Sequence, residues 1–168
     1  MARRPKLPSF QLRERTSADD YFLADLCDDA FAEWSRDPTS TVFSMLSSPK
    51  TKCLVAESGG EPVGFVVVEI EALGRPFGPW KKPVIARIDA IAVSLEARRA
   101  GVGRRLLAGA ESLALREGAV VVRLRTAAQN GAAQRLFANA GYFPLLRVPR
   151  GYANGDSAIE MIRLLEGV

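Results

Sequence analysis

The chain has 168 residues, of which 48% are hydrophobic and 25% charged, which suits one globular domain spanning residues 1–168. No apolar run approaches the roughly 20 residues that cross a bilayer, and no apolar stretch follows the basic start Met1-Ala2-Arg3-Arg4-Pro5-Lys6, so neither a membrane span nor a secretory leader is expected and a cytoplasmic location is. The absence of histidine excludes an imidazole base and argues against a zinc site, and the formal net charge of +4 raises nucleic-acid binding as a class to be tested.

After a segment 1–7 expected to be flexible, Phe10 to Arg15 alternates as a first strand. Ser17 is expected to cap a helix, with Asp20 at its third position and Tyr21, Phe22, Leu26, Ala30 and Trp34 as its apolar stripe. Pro38 is expected to end that helix, and Thr39 to cap a second short one through Met45 and Leu46. Lys52 to Glu57 and Val63 to Leu73 read as two strands around the turn Ser58-Gly59-Gly60-Glu61. Pro76, Gly78, Pro79 and Pro83 make the next stretch a loop. Val84 to Ser94 is the central strand, and an amphipathic helix covers 102–117, with Leu106, Leu107, Ala110, Leu113 and Ala114 on one face and Gly118 as its stop. Val120 to Thr126 is a strand and Asn130 to Ala140 a helix. Two last strands, Tyr142 to Val148 and Ser157 to Leu165, are joined by a glycine-containing link. Cys27 and Cys53 sit in apolar surroundings and read as buried thiols rather than a disulfide.

The turn between the central strand and the long helix carries most of the chemistry. Arg98, Arg99, Ala100, Gly101, Val102, Gly103 and Arg104 combine basic side chains, glycine and a helix N-terminus. Exposed N–H groups and the helix dipole there suit an anion such as a pyrophosphate. A P-loop is excluded, because Arg104 follows Gly103 where lysine and a hydroxyl are required. The dinucleotide fingerprint is excluded because Leu106 stands where its third glycine belongs. The spacing that fits, Arg98-Arg99-Ala100-Gly101-Val102-Gly103, resembles the Q/R-x-x-G-x-G/A acetyl-CoA motif of the GNAT superfamily of N-acyltransferases. Ile91-Ala92-Val93 looks like that family's fourth strand. Asn130-Gly131-Ala132-Ala133-Gln134-Arg135-Leu136-Phe137 followed by Gly141-Tyr142-Phe143 is similar to its second motif. The resemblance covers about residues 8–166.

The resemblance implies an α/β (α+β) fold with a mixed, mainly antiparallel sheet of about seven strands. The sheet would splay in a V and be flanked by about four helices. It implies acetyl-CoA as cofactor and a primary amine as acceptor, on a small molecule, a protein N-terminus or a lysine. Expected cofactor contacts are Ile91, Ala92 and Val93 on the strand edge, Arg98 to Arg104 in the turn, and Asn130, Ala133 and Phe137 in the second motif. The backbone N–H of Val93 or its neighbour would polarise the thioester carbonyl. A homodimer is an assembly the resemblance allows.

Asp89 lies within an apolar strand, where an unpaired carboxylate is costly. It is read either as the base or amine ligand or as the partner of Arg87, with Glu69 and Glu71 as reserves. Phe137 stands where many family members carry a proton-donating tyrosine, so the acid falls to Tyr152 or to water, and a catalytically weak or inactive acyl-CoA-binding module is the alternative. Asp19, Asp20, Asp25, Asp28, Asp29 and Glu33 give the first helix an acidic lean that favours a cationic acceptor, with Glu33 as a recognition candidate. Trp34, Phe77, Trp80 and Tyr152 are candidate pocket walls, with core or loop packing as their other reading. Basic residues gather around the phosphate turn rather than along one long face, so neither a nucleic-acid nor a membrane partner is expected, and no metal site is.

Overall fold

A computed structural model describes residues 9–165, so the segment 1–7 lies outside the described residues. Seven strands form one sheet in the order β1-β2-β3-β4-β5-β7-β6. They are β1 (Phe10–Glu14), β2 (Thr51–Ser58), β3 (Glu61–Ala72), β4 (Val84–Val93), β5 (Ala119–Ala127), β6 (Phe143–Val148) and β7 (Ala158–Leu164). The helices are α1 (Asp20–Phe31), α2 (Pro38–Leu46), α3 (Val102–Arg116) and α4 (Gly131–Asn139). Every neighbouring pair is antiparallel except β4 with β5, whose crossover is α3. The expected mixed, mainly antiparallel fold is the one observed. Among the described residues no helix is long and apolar enough to cross a membrane.

Side-chain alternation divides the core. Val66 and Val68 of β3 pack with Leu106, Leu107 and Ala110 of α3 and with Phe137 of α4. Phe65 and Val67 point the other way, against Leu23, Leu26 and Cys27 of α1 and Val42 of α2. Both cysteines are free and buried in this second cluster, and burial pushes Cys27 up to about 11 and Cys53 up to about 12. A third cluster, Ile85, Val121 and Ile162, is closed by Phe77 and Trp80. Those two aromatics, read as pocket walls or as packing, thus pack against this cluster.

The start of α1 differs from the expected Ser17 cap. Ser17–Asp19 forms a 3₁₀ turn, and Asp19 turns back to accept the Thr16 N–H at 2.8 Å. Tyr21 is 89% exposed and Trp34 lies beyond the helix, so neither belongs to its apolar stripe, which is Leu23, Leu26 and Cys27. Pro38 occupies the first turn of α2, and Asp37 rather than Thr39 caps it by accepting the Ser40 N–H at 3.1 Å.

Arg13 clamps Asp19 through two bonds of 2.8 Å and also donates to Glu57, tying β1, β2 and the 3₁₀ turn together. The Arg13 hydrogen bonds hold Asp19 down at about 2, below the usual carboxylate value. The folded form therefore gains stability that is present above about pH 4 and is lost as pH falls towards 2. Asp19→Asn should cost about 2 kcal/mol at neutral pH, and the gap to the parent should close by about pH 2. Urea unfolding across that range measures it.

Candidate active site

β4 does not run evenly. Val67 pairs with Ala90 and Val68 with Ile88, so Asp89 is an extra residue with no partner in β3. The bulge exchanges the faces of the strand. Ala86 and Ile88 pack on the α3 side, whereas Ala90 and Ala92 pack on the α1 side. Ile91 and Val93 then return to the α3 side.

The bulge also marks where β4 and β5 part. Their parallel pairing ends at Ile88 with Leu124, although β4 continues to Val93 and β5 to Ala127. Ser94 donates its N–H to the Val63 carbonyl at 2.8 Å, which fixes the parity of the β3 ladder. Ala92 is bonded to β3, while Ile91 and Val93 turn their N–H and C=O groups into the open edge. The backbone groups of Ile91 and Val93, two of the expected edge contacts, thus face the opening. Ser94 does not, because its N–H is taken. Ala92 has its side chain in the α1 cluster and its backbone on β3, so it is not brought to the edge.

The basic turn lies directly beyond. Arg99 (φ 63°) and Gly101 (φ 83°) are both left-handed, and α3 begins at Val102. The first intrahelical bond of α3 is from the Arg105 N–H to the Gly101 carbonyl, 3.0 Å. The amides of Val102, Gly103 and Arg104 therefore precede the helical ladder and are open to an anion. Val102 contributes backbone only, since its side chain is buried in the core. Gly101 is favoured by its positive φ, whereas at Gly103 the neighbour is close: a Cβ there would stand 3.2 Å from Leu136 Cδ2 of α4, which would have to yield by a few tenths of an ångström. Ala100, Arg98 and Arg104 are exposed. The Arg98 Nε donates to the Val93 carbonyl at 3.2 Å, linking the turn to the open edge.

The second motif lines the other side. Asn130 caps α4, its Oδ1 accepting the Ala133 N–H at 3.1 Å. Its Nδ2 has no partner among the described residues and is left as a donor. Gln134, which the sequence reading left without a role, donates to the Ala127 and Ala128 carbonyls at 3.1 and 2.9 Å and holds the end of β5 against α4. Phe137 is buried in the α3 cluster with its ring 6.0 Å from that of Tyr142, so it is core and does not reach the edge. Tyr142 in turn donates to Glu111 at 3.1 Å, inside the molecule.

On the opposite face of the sheet lies a cavity of about 350 Å³ lined by Arg87, Asp89, Arg123, Arg125, Tyr152 and Glu160. Arg87 donates to Asp89 Oδ1 at 2.6 Å and to Glu69 Oε2 at 2.7 Å. Its hydrogen bond with Asp89 raises the Arg87 pKa, which keeps it cationic. The Asp89 side chain is only 6% exposed and its Oδ2 is buried without a partner. Asp89 is thus the partner of Arg87 through one oxygen, while its other oxygen has no partner among the described residues.

Tyr152 reaches this cavity from the link between β6 and β7, and burial raises its pKa. The link is fixed. Tyr152 N–H donates to the Asp156 carbonyl at 3.1 Å, and the Trp34 indole donates to Asp156 Oδ2 at 3.3 Å. A Cβ on Gly151 would meet Ala158 Cβ at 2.6 Å, so the link lies hard against β7. Glu33 is exposed and does not line the cavity, nor does Glu71. The acidic lean of the first helix is largely spent locally: Asp19 and Asp20 pair with Arg13 and Arg15, and Asp28 accepts from Thr39. Arg123, Arg125 and Glu160 were missed as site residues because they sit in an apolar strand pattern with nothing to say which face opens on a cavity.

A family model described as the acetyltransferase (GNAT) family matches residues 20–142. Among solved structures, Ard1 from Thermoplasma volcanium is similar at a TM-score of 0.79 and 22% identity, covering 94% of this chain and 99% of its own. Arabidopsis thaliana NAA60, solved with acetyl-CoA, is similar at 0.80 and 16%, covering 95% and 100%. The ribosomal-protein-S18-alanine N-acetyltransferase from Escherichia coli is similar at 0.75 and 18%, covering 95% and 96%. No match was found among curated proteins.

The positive φ of Gly101 generates a direct test. Gly101→Val should lower stability by about 1–2 kcal/mol, while Gly101→Asn should lose less because asparagine enters the left-handed region more readily. Thermal unfolding of both variants beside the parent decides it.

Proposed function

The chain belongs to the GNAT acetyltransferase family, and from that premise we propose that it transfers an acetyl group from acetyl-CoA to a primary amine by direct attack in a ternary complex. The observation that carries this reading is the break between β4 and β5. An open strand edge leads from the basic turn on one face to a polar cavity on the other. Acetyl-CoA, when bound, supplies an activated thioester.

The pyrophosphate would rest on the amides of Val102, Gly103 and Arg104, with Arg98, Arg99 and Arg104 adding charge. The pantetheine arm would bond to the backbone of Ile91 and Val93, with Asn130 Nδ2 as a further donor. The N–H of Val93 faces the open edge and can polarise a carbonyl there. Asp89 Oδ2, held in place through Arg87, takes the proton from the acceptor ammonium, directly or through one water. The freed nitrogen lone pair would form the new C–N bond as the C–S bond breaks, and the second proton lost by the nitrogen would pass through water to replace the one Tyr152 gives to the thiolate. Burial keeps Tyr152 protonated through the neutral range, so its hydroxyl can protonate the leaving thiolate. Glu69 acts on Asp89 only through the shared Arg87. Free, buried Cys27 and Cys53 fit a reducing compartment, and the cytoplasm is part of this reading.

The position of Phe137 favours a second reading, an acyl-CoA-binding module without turnover. A buried phenyl ring stands where a proton donor is expected. CoA release across an amine panel separates the two.

Calorimetric titration with acetyl-CoA should show saturable binding by the parent and loss of binding by Gly103→Glu, with circular dichroism confirming that the variant is folded. Absence of binding by the folded parent would remove both readings. Asp89→Asn should lower kcat by about 100-fold while acetyl-CoA affinity stays unchanged, as measured by initial rates of CoA release.

A further inference from the structure

The ion pairs around the cavity leave one guanidinium out. Arg87 is matched by Asp89 and Glu69, and Arg125 is matched by Glu160 at 3.2 Å. Arg123 also lines the cavity, and among the described residues it has no ion pair or hydrogen bond. In the parallel register Arg123 stands beside Arg87 on the neighbouring strand. Adjacent strands lie about 4.8 Å apart, so two guanidinium groups share one patch. Like charges side by side are unfavourable, and a further anion within reach of Arg123 would relieve this pair. The described residues do not supply it.

Two unmet demands therefore belong to residues that line one cavity. Asp89 Oδ2 lacks a donor and Arg123 lacks an acceptor. Arg123 is level with Arg87 and Asp89 lies two residues further along β4, so the backbone positions of Asp89 and Arg123 are offset by roughly 7 Å along the strand. A cavity of about 350 Å³ has room for a group the size of an amino-acid residue.

We propose that the acceptor carries a carboxylate as well as its amine, with the amine at Asp89 and the carboxylate on Arg123. The planar guanidinium fork suits a carboxylate through paired N–H···O bonds. The inference rests on the acetyl-transfer reading and adds the acceptor class. It reverses the expectation drawn from the acidic first helix, whose exposed carboxylates do not line this cavity. The carboxylate can belong to a free amino acid or to an acidic first residue of a peptide, and the two sources are separable.

The test compares acceptors that differ only in carboxylate against carboxamide. One pair is alanine and alaninamide; the other is a tripeptide amide beginning with aspartate and one beginning with asparagine. With acetyl-CoA saturating, the parent should favour the carboxylate member of one pair by about tenfold in kcat/KM. The pair that responds identifies the source. Arg123→Gln should bring that ratio to near one, and Arg123→Lys should restore part of it, with acetyl-CoA affinity unchanged in both. A parent indifferent to the carboxylate, or an Arg123→Gln variant that slows both members equally, overturns the proposal. If no amine releases CoA, calorimetric titration of the same pairs still decides it. Selective binding of the carboxylate member, lost in Arg123→Gln, supports the proposal, and equal or absent binding overturns it. Failure of acetyl-CoA itself to bind counts against the acetyl-transfer reading instead.

Discussion

β4 has one more residue than β3 across the bulge at Asp89, and a chain of period two absorbs an odd residue only by exchanging its faces. That exchange is what gives the sheet a site. Below Asp89, β4 is an ordinary inner strand bonded to β3 and β5. Above it, β4 keeps β3 but leaves β5, and the backbone of Ile91 and Val93 turns to an edge with no partner strand. An inner strand with unmet N–H and C=O groups is costly unless water or a ligand meets them. Arg98 meets one, the Val93 carbonyl, and leaves the neighbouring N–H open.

Around that break, the two faces solve different problems. The α3 face is apolar, and Gly103 lets α3 approach Leu136 of α4 so that the phosphate turn sits over the open edge. The other face carries the ionisable side chains Glu69, Arg87, Asp89, Arg123, Arg125 and Glu160 between two apolar clusters. Half-buried carboxylates there persist because each has an arginine within hydrogen-bond distance. Among the described residues, one oxygen of Asp89 and the guanidinium of Arg123 have no partner. The loops from α1 to α2 and from β6 to β7 meet at the Trp34–Asp156 bond, which fixes the wall carrying Tyr152.

Much of this was legible in the chain. Period-two runs, the glycines at 101, 118 and 141 and the turn at 58–61 marked the elements to within a few residues. Local chemistry misled where a neighbouring residue did the same job better. Asp37 outcompetes Thr39 as a cap because Pro38 already fits the first helical turn. Tyr21 matched a helical stripe by spacing, yet the helix begins at Asp20 after a 3₁₀ turn, so the stripe rotates away from it. Phe137 matched a motif position but is held inward by Tyr142, which itself answers to Glu111.

The sequence by itself determined the strand and helix content, the basic glycine-containing turn and the oddity of an aspartate in an apolar strand. These are local properties, set by periodicity, by the conformational freedom of glycine and by the cost of charge in apolar surroundings. Only the tertiary structure decided that Asp89 is the extra residue of a bulge, that Ile91 and Val93 rather than Ala92 face the opening, and that Arg123 shares a cavity with Asp89. Each of those depends on how β4 registers against strands far from it in the chain. A register is the outcome of many weak contacts acting together, and no single residue writes it down.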